Sequence, residues 1–330
     1  MLSSVDDLLS LVASVYGGRP LPRAHALLEA SRDLQHGADA KALATSLKTT
    51  PRRLAELAES PDPIFSLFKT TLASATDEAL LAKRRQGLGQ LLLAGLAERA
   101  FEALYRKTLG AEELQLEDER RGHTETDYRV LNGARRPVFR LNIKFHGTLF
   151  VNARSMVGLE PKDCFALATY KVWQGTQKQQ TEVLPYVFAI VSVPGLTAES
   201  VGTIVPTRLV HLAAFAYAAK AGGKRDVEDA VVRHLIEDQQ PEEVAERVAT
   251  FSVRIERAEW RVISARKADK LLRELLFERV YAVRQRSFAQ TQVNMHFSLS
   301  QDLTALTEFL RLWRERGPQG LASMLERGLV

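Results

Sequence analysis

The sequence predicts a mixed α/β fold of the α+β kind, in which a mixed sheet is flanked by helices. Residues 1–100 carry apolar side chains three and four positions apart, which is the spacing of helices. From residue 112 the apolar period changes to two, which is the spacing of strands. Both patterns occur after residue 207, so we expect a helical N-terminal region, an α/β core and a mixed C-terminal region.

Length and composition agree with a globular protein. The chain has 330 residues, 45% hydrophobic and 26% charged, which suits a large buried core and about two domains. The changes of pattern divide it into regions 1–95, 96–206 and 207–330.

Cysteine content and hydropathy favour a cytoplasmic protein without a membrane segment. Cys164 is the one cysteine, so no internal disulfide can form. The N-terminal "MLSSVDDLLSL" lacks the basic start of a signal peptide, and the run "LVHLAAFAYAA" is shorter than the roughly 20 residues of a membrane span. Cys164 precedes the apolar run "FALA", which favours a buried thiol over a nucleophile.

Helices are predicted along the whole N-terminal region. They comprise "VDDLLSLVASVY", "PRAHALLEASRDL", "IFSLFKTTLASA" and a long helix that ends near Gly110, a natural cap. Residues 40–60 predict a helix, a short polar turn and a second helix, with Thr50 as N-cap and Pro51 at the first position. This pattern resembles a helix-turn-helix, and it would place Arg52 and Arg53 at the start of the recognition helix. An ordinary helical hairpin has the same pattern.

The core and C-terminal regions combine strands and helices. The predicted core strands are "ELQLEDE", "TDYRVL", "VFRLNIKF" and "YVFAIVSV", with a mainly helical segment at 161–184 before the last of them. The C-terminal strands are "FSVRIER", "EWRVIS", "RVYAVRQ" and "TQVNMHFSLS". Helices are predicted in "PTRLVHLAAFAYAAKAGG", "KADKLLRELLF" and "SQDLTALTEFLRLWRERG".

The hairpin at 126–147 carries the candidate site. In "VFRLNIKF" the apolar side chains point one way, and Asn142 and Lys144 point the other. A five-residue loop places Asp127 roughly opposite Asn142 on the neighbouring strand. One face of the hairpin can thus present an acid, an amide and a lysine to one small volume.

This pattern resembles the PD-(D/E)xK nuclease superfamily, which includes many restriction endonucleases. The resemblance covers roughly residues 96–195 and rests on the order helix, three strands, helix, strand. Asp127 corresponds to the family's Asp and Lys144 to its Lys, whereas Asn142 occupies the position of an acid. Glu102, on the preceding helix, corresponds to a frequent accessory acid. The resemblance implies a restriction-endonuclease-like sheet.

The resemblance also implies a site for Mg²⁺ or Mn²⁺. Asp127, Asn142 and Glu102 would be its ligands, with Glu125 as a supporting acid on the same strand. Lys144 would position the attacking water and stabilise the developing charge. Asn142 contributes a neutral oxygen, which weakens metal binding. His123, Glu125 and Asp127 alternate along one strand, which leaves a transition-metal site as an alternative.

Basic residues are concentrated in the C-terminal region, at 251–290. Five acidic and ten basic side chains lie there, an excess equal to the +5 of the whole chain. Arg266, Lys267, Lys270 and Arg273 are the candidates for phosphate contacts. A solvated amphipathic helix with mixed charges is the alternative.

These features favour a metal-dependent DNA endonuclease of restriction or defence type, and they are compatible with a homodimer. A non-catalytic nucleic-acid-binding or assembly subunit with the same fold is the second hypothesis. An α/β interaction module without nucleic acid is the third.

Overall fold

The fold is that of a computed structural model, which describes residues 22–60, 78–119, 126–206, 242–285 and 290–330, with 210, 232, 235 and 236. The chain divides into two compact units. One unit contains residues 1–95 with 198–249, and the other contains residues 96–197 with 250–330. The mixed α/β class is confirmed, because helices and two sheets are both present among the described residues.

The first unit contains a group of three short helices. They are α1 (Pro22–Gln35), α2 (Ala40–Ser46) and α3 (Pro51–Ala58). The side chain of Thr50 accepts a hydrogen bond from the backbone N–H of Arg53, so Thr50 is the N-cap of α3, as predicted. Leu54 packs against Ala30 and Ala44, which joins the three helices through one small core. Helix α4 (Glu78–Glu113) begins in this unit and continues into the second, where it precedes the first strand.

Sixteen further elements follow along the described part of the chain. They are β1 (Leu114–Asp118), β2 (Tyr128–Asn132), β3 (Pro137–His146), α5 (Ala153–Val157), β4 (Cys164–Ala168), α6 (Thr169–Glu182), β5 (Tyr186–Ser192), α7 (Ala198–Gly202), α8 (Glu242–Glu256), β6 (Trp260–Ser264), α9 (Ala265–Glu274), α10 (Leu276–Arg279), β7 (Val280–Gln285), β8 (Gln290–Ser298), β9 (Thr304–Ala305) and α11 (Leu306–Glu326).

The second unit is built on a six-stranded mixed sheet in the order β1-β2-β3-β5-β6-β9. Strands β1, β2 and β3 form an antiparallel meander. Strand β5 is parallel to β3, and it follows a crossover that contains α6. Strands β4, β8 and β7 form a separate antiparallel sheet. The predicted order of helix, three strands, helix and strand is therefore present, with β4 added before α6.

The two faces of the large sheet are covered by different layers. On one face the ring of Phe139 packs edge-on against Phe309 and Trp313 of α11. On the other, Phe188 and Ile190 belong to a buried cluster with residues of α6, α9 and the small sheet. This second face is also the one toward which the polar side chains of β3 point, since residues paired across neighbouring strands share a face.

Two predicted elements differ from the structure. "FSVRIER", predicted as a strand, ends helix α8, because its Ile255 continues the buried stripe of Val244 and Val248 at spacings of four and seven. "CFALA", placed in a mainly helical segment, is strand β4, because this short apolar run pairs with β8 and is almost wholly buried, while the helix begins at Thr169.

Three predicted helices lie outside the described residues, wholly or for the most part. They are "VDDLLSLVASVY", "IFSLFKTTLASA" and "PTRLVHLAAFAYAAKAGG". In the part of the chain that is described, no helix is long and apolar enough to cross a membrane.

Candidate functional site

Asp127 lies immediately before β2, next to the first pair of its ladder with β3. Its backbone N–H donates to the carbonyl oxygen of Leu141, and its Oδ2 accepts a hydrogen bond of 2.5 Å from the N–H of Ile143. The Asp127 carboxylate thus accepts from Ile143 a hydrogen bond of the kind that a backbone carbonyl accepts in a β-sheet. Because Asn142 lies between these two partners, Asp127 is held alongside Asn142, which the hairpin pattern predicted.

Asn142 and Lys144 occupy successive positions on one face of β3. They align with Phe188 and Ile190 of the parallel strand β5, whose side chains are buried in the core. Asn142 is 6% exposed, whereas Lys144 is half-buried. A buried amide costs free energy unless its polar atoms form hydrogen bonds. At 6% exposure, the Asn142 side chain has little access to water.

Arg140 is a buried cation on the same face, two residues before Asn142. Its guanidinium donates to the carboxylates of Glu119 and Glu182 and, over 2.8 Å, to the hydroxyl of Thr126. The Thr126 hydroxyl donates in turn to Glu119 over 2.7 Å. This network fixes the residue that precedes Asp127, and it ties the end of α6 to β3.

Sequence reasoning did not identify this network. Alternation placed Arg140 on the polar face of β3, but its acidic partners lie 21 and 42 residues away. Arg129 of β2 also binds Glu119, at 2.6 Å, so two arginines share this largely buried carboxylate. The signal that the sequence carried was an arginine in the polar row of an alternating strand, which does not identify its partners.

Glu102 lies on α4 and contacts the sheet through Tyr128. Its Oε1 accepts a hydrogen bond of 2.5 Å from the Tyr128 hydroxyl, and the Tyr128 ring stacks on Phe101. Tyr128 is paired with Leu141, so its side chain belongs to the face opposite Asn142. The described contacts of Glu102 therefore lie on the apolar side of the hairpin. Glu125, and with it His123, lies outside the described residues.

The donors next to Asn142 are oxygen atoms, which suit Mg²⁺ or Mn²⁺ rather than a soft metal. The hydrogen bond from Ile143 does not exclude a metal at Asp127, because an ionised carboxylate has about four lone-pair sites. Among the described residues, no group of three or more His, Cys, Asp or Glu side chains is arranged to hold a metal ion. Of the three predicted metal ligands, Asp127 and Asn142 are the two that lie next to each other.

The predicted nucleic-acid contacts lie on two helices. Arg52 and Arg53 begin α3, and both pair with Glu56 on the next turn. On α9 the side chains of Arg266, Lys270 and Arg273 are exposed.

Lys267 differs from the other cations of α9. It is half-buried, and desolvation lowers its pKa, with Asp302 acting in the opposite direction. Lys267 is therefore less suited to a phosphate contact than its three neighbours on the helix.

Cys164 is buried, as predicted, and burial raises the pKa of its thiol to about 11. We expect iodoacetamide at about pH 8 to modify it at least roughly 100-fold more slowly in the folded protein than in urea, since the thiolate is the nucleophile. Mass spectrometry of timed samples measures both rates, and equal rates would contradict an inert buried thiol.

His146 ends the polar row of β3 inside an aromatic cluster. Its ring stacks on Phe150 and meets Phe165 edge-on. Burial lowers the pKa of His146 to about 4, while a hydrogen bond to the backbone of Cys164 acts in the opposite direction. His146 is consequently neutral at neutral pH, and it adds no positive charge beside Lys144.

The buried His146 predicts a pH-dependent stability. The pKa of His146 falls from 6.5 to about 4 on folding. Between these two pH values the imidazole is protonated in the unfolded chain and neutral in the folded one. Stability therefore declines as pH falls from 6.5 to about 4. Between about pH 7 and about pH 4.5, wild type should lose about 2 kcal/mol more unfolding free energy than His146→Phe. Urea denaturation at both pH values measures the difference, and equal losses would contradict a neutral buried imidazole.

Comparison with family models, curated proteins and solved structures finds no match to this chain.

Proposed function

We propose that this protein hydrolyses phosphodiester bonds in DNA with the help of Mg²⁺ or Mn²⁺. The observation that carries the proposal is the placement of the Asp127 carboxylate against the backbone of Ile143, between Asn142 and Lys144. The mixed sheet gives further support, because its meander is followed by a strand parallel to β3, which is the element order of the PD-(D/E)xK resemblance.

Each residue of this site has a distinct role in the proposal. Asp127 and Asn142 would hold the metal, which would supply a positive charge to the phosphate and lower the pKa of bound water. Lys144 positions the attacking water and stabilises the negative charge that develops on the phosphate. Arg140 supports the site by fixing Thr126, the neighbour of Asp127.

The partner is DNA, and helix α3 is the second contact that the proposal assigns. Its N-terminal residues Arg52 and Arg53 begin the second helix of a helix-turn-helix arrangement, the part that enters the major groove in such proteins. The proposal also includes a cytoplasmic enzyme of restriction or defence type and, because such enzymes cut both strands, a homodimer.

The residue at position 142 provides the test of catalysis. Asn142→Asp restores a charged ligand, so we expect it to tighten Mg²⁺ binding about tenfold or more and to keep or raise the rate of plasmid nicking. Nicking of supercoiled plasmid is measured with Mg²⁺ and with Mn²⁺ for wild type and for Asn142→Asp. A folded wild type and a folded Asn142→Asp that both fail to cut DNA would reject the nuclease proposal.

The amide at 142 also favours a second candidate, a subunit that binds nucleic acid without cutting it. A neutral ligand in a position that is 6% exposed leaves one fewer charge for a divalent ion. Salt-dependent DNA binding without cleavage by either protein would support this candidate over the first.

A further inference from the structure

Helices α6 and α9, which pack against each other, expose aromatic rings and cations. Tyr170 and Trp173 lie three residues apart on α6, and they are 51% and 60% exposed. Arg266, Lys270 and Arg273 are exposed on α9. Large exposed aromatic side chains are costly to leave in water, and cations near them suggest a ligand with both flat rings and negative charge.

The two helices are in close contact, and both pack on the same face of the large sheet. Gly175 of α6 lies so near α9 that an added Cβ would be 3.1 Å from the side chain of Ala265. The hydroxyl of Thr176 lies 3.5 Å from the carbonyl oxygen of Ala265. We call the exposed residues Tyr170, Trp173, Arg266, Lys270 and Arg273 the α6–α9 surface.

The charge of this surface is positive. Helices α6 and α9 together carry six basic and three acidic side chains, a net charge of +3. The acid Asp269 has a side chain only 13% exposed, whereas that of its partner Arg273 is 76% exposed. The ammonium of Lys171 lies 5.1 Å from the ring centre of Tyr170, which adds a cation at the aromatic end. The acid Glu274 is exposed and lies 3.9 Å from the ammonium of Lys270, so the positive charge of the two helices is their net excess of three cations.

Single-stranded DNA has the chemistry that fits these groups. Its unpaired bases can stack on exposed rings, and its phosphates can pair with the cations, whereas duplex DNA hides the faces of its bases. From Tyr170 to Gln180, helix α6 extends about 15 Å, roughly the length of four nucleotides of one strand. Near Gln180, an open pocket of about 230 Å³ is lined by Gln180, Arg266 and the acid Glu326.

We propose that the α6–α9 surface binds single-stranded DNA, with bases on Tyr170 and Trp173 and phosphates on Arg266, Lys270 and Arg273. This binding would present an unpaired strand to the protein, so it deepens the proposed function. It rests on that function only for the choice of DNA over RNA.

Trp173 offers a direct measurement. The chain has three tryptophans, and the other two, Trp260 and Trp313, are 4% and 3% exposed. Stacking of a base should therefore quench the emission of Trp173 alone. We expect an oligo(dT) of about 20 nucleotides, added in EDTA so that no cleavage occurs, to quench this emission, and a duplex of equal length to leave it nearly unchanged.

Variants separate the stacking contribution from the charge contribution. Measured by fluorescence anisotropy of a labelled oligo(dT), Trp173→Ala should raise the Kd about 5-fold to 100-fold, and Trp173→Phe should retain most of the affinity. Phe277→Ala is the control, because Phe277 is an aromatic residue that is 93% exposed and is not one of the five residues of this surface. The double change Arg266→Ala with Lys270→Ala should reduce the salt slope by about 1.4, whereas Arg154→Ala should not change it.

Several results would overturn the proposal. They are unchanged Trp173 emission with oligo(dT), equal quenching by duplex, equal losses for Trp173→Ala and Phe277→Ala, or tighter binding of oligo(U) than of oligo(dT). A protein ligand at this surface would produce the first of these results. Because the measurements are made without metal, quenching by oligo(dT) would support the surface even if the wild type and Asn142→Asp fail to cut DNA.

Discussion

Asp127→Asn is expected to reduce DNA cleavage about 100-fold or more while the protein stays folded. The amide oxygen can still accept the hydrogen bond from Ile143, so the junction of β2 and β3 is retained. What is lost is the negative charge at the metal. Changes in groups that only orient metal ligands already cost roughly 10-fold to 100-fold, so loss of the ligand charge itself should cost at least as much. Plasmid nicking at saturating and at low Mg²⁺ measures the effect.

Two further variants define the origin of that loss. Asp127→Ala removes both the charge and the acceptor for Ile143, so it should also lower stability by about 1–3 kcal/mol, the cost of an unsatisfied buried donor. Lys144→Ala should reduce kcat about as strongly as Asp127→Asn, with similar DNA affinity, because its role belongs to the transition state. Full cleavage by Asp127→Asn would exclude Asp127 as the metal ligand, whatever the behaviour of Lys144.

The pairing of the hairpin could be predicted because it depends on local pattern. Alternation along β3 fixes which residues share a face, and a short loop fixes the register of its neighbour, so Asp127 and Asn142 could be placed together. The start of α3 was predictable for a similar reason, since Thr50 and Pro51 are local signals for a helix N-terminus.

Elements decided by distant partners could not be predicted. The run at 164–168 is a strand because β8, more than 120 residues later, pairs with it. A short apolar run has no period that separates a buried strand from a buried helix. Helix α8 shows the reverse case, because alternating Phe251, Val253 and Ile255 resemble a strand until the earlier Val244 and Val248 are included.

The surroundings of the candidate site were hidden from the sequence for the same reason. Arg140 receives its carboxylates from β1's end and from the end of α6, and neither is close to it in the chain. The exposure of Tyr170 and Trp173 could not be predicted either, because aromatic residues on a helix usually pack in the core. Their exposure depends on how α6 packs in the tertiary structure. Such contacts depend on the tertiary structure, which cannot be deduced from the spacing of apolar residues along the chain.

Breaking the Arg140 network should have the largest effect on stability. The side chains of Arg140 and Glu119 are 7% and 9% exposed, so removal of the arginine leaves a carboxylate buried without one of its two cations. Removal of one partner from a buried pair costs about 3–5 kcal/mol, and Arg140→Ala should lower the unfolding free energy by that amount. Urea denaturation followed by circular dichroism measures it.

Arg154→Ala is the matched control for Arg140→Ala. Arg154 also pairs with a glutamate, Glu160, but both side chains are more than 60% exposed, so its loss should change stability by less than about 1 kcal/mol. Glu119→Gln in the Arg140→Ala background tests the cause, because it removes the buried charge that the first change exposes. Recovery of at least about 1 kcal/mol in the double variant is expected, and further destabilisation would show that the loss arises from packing around Arg140 rather than from the uncompensated charge.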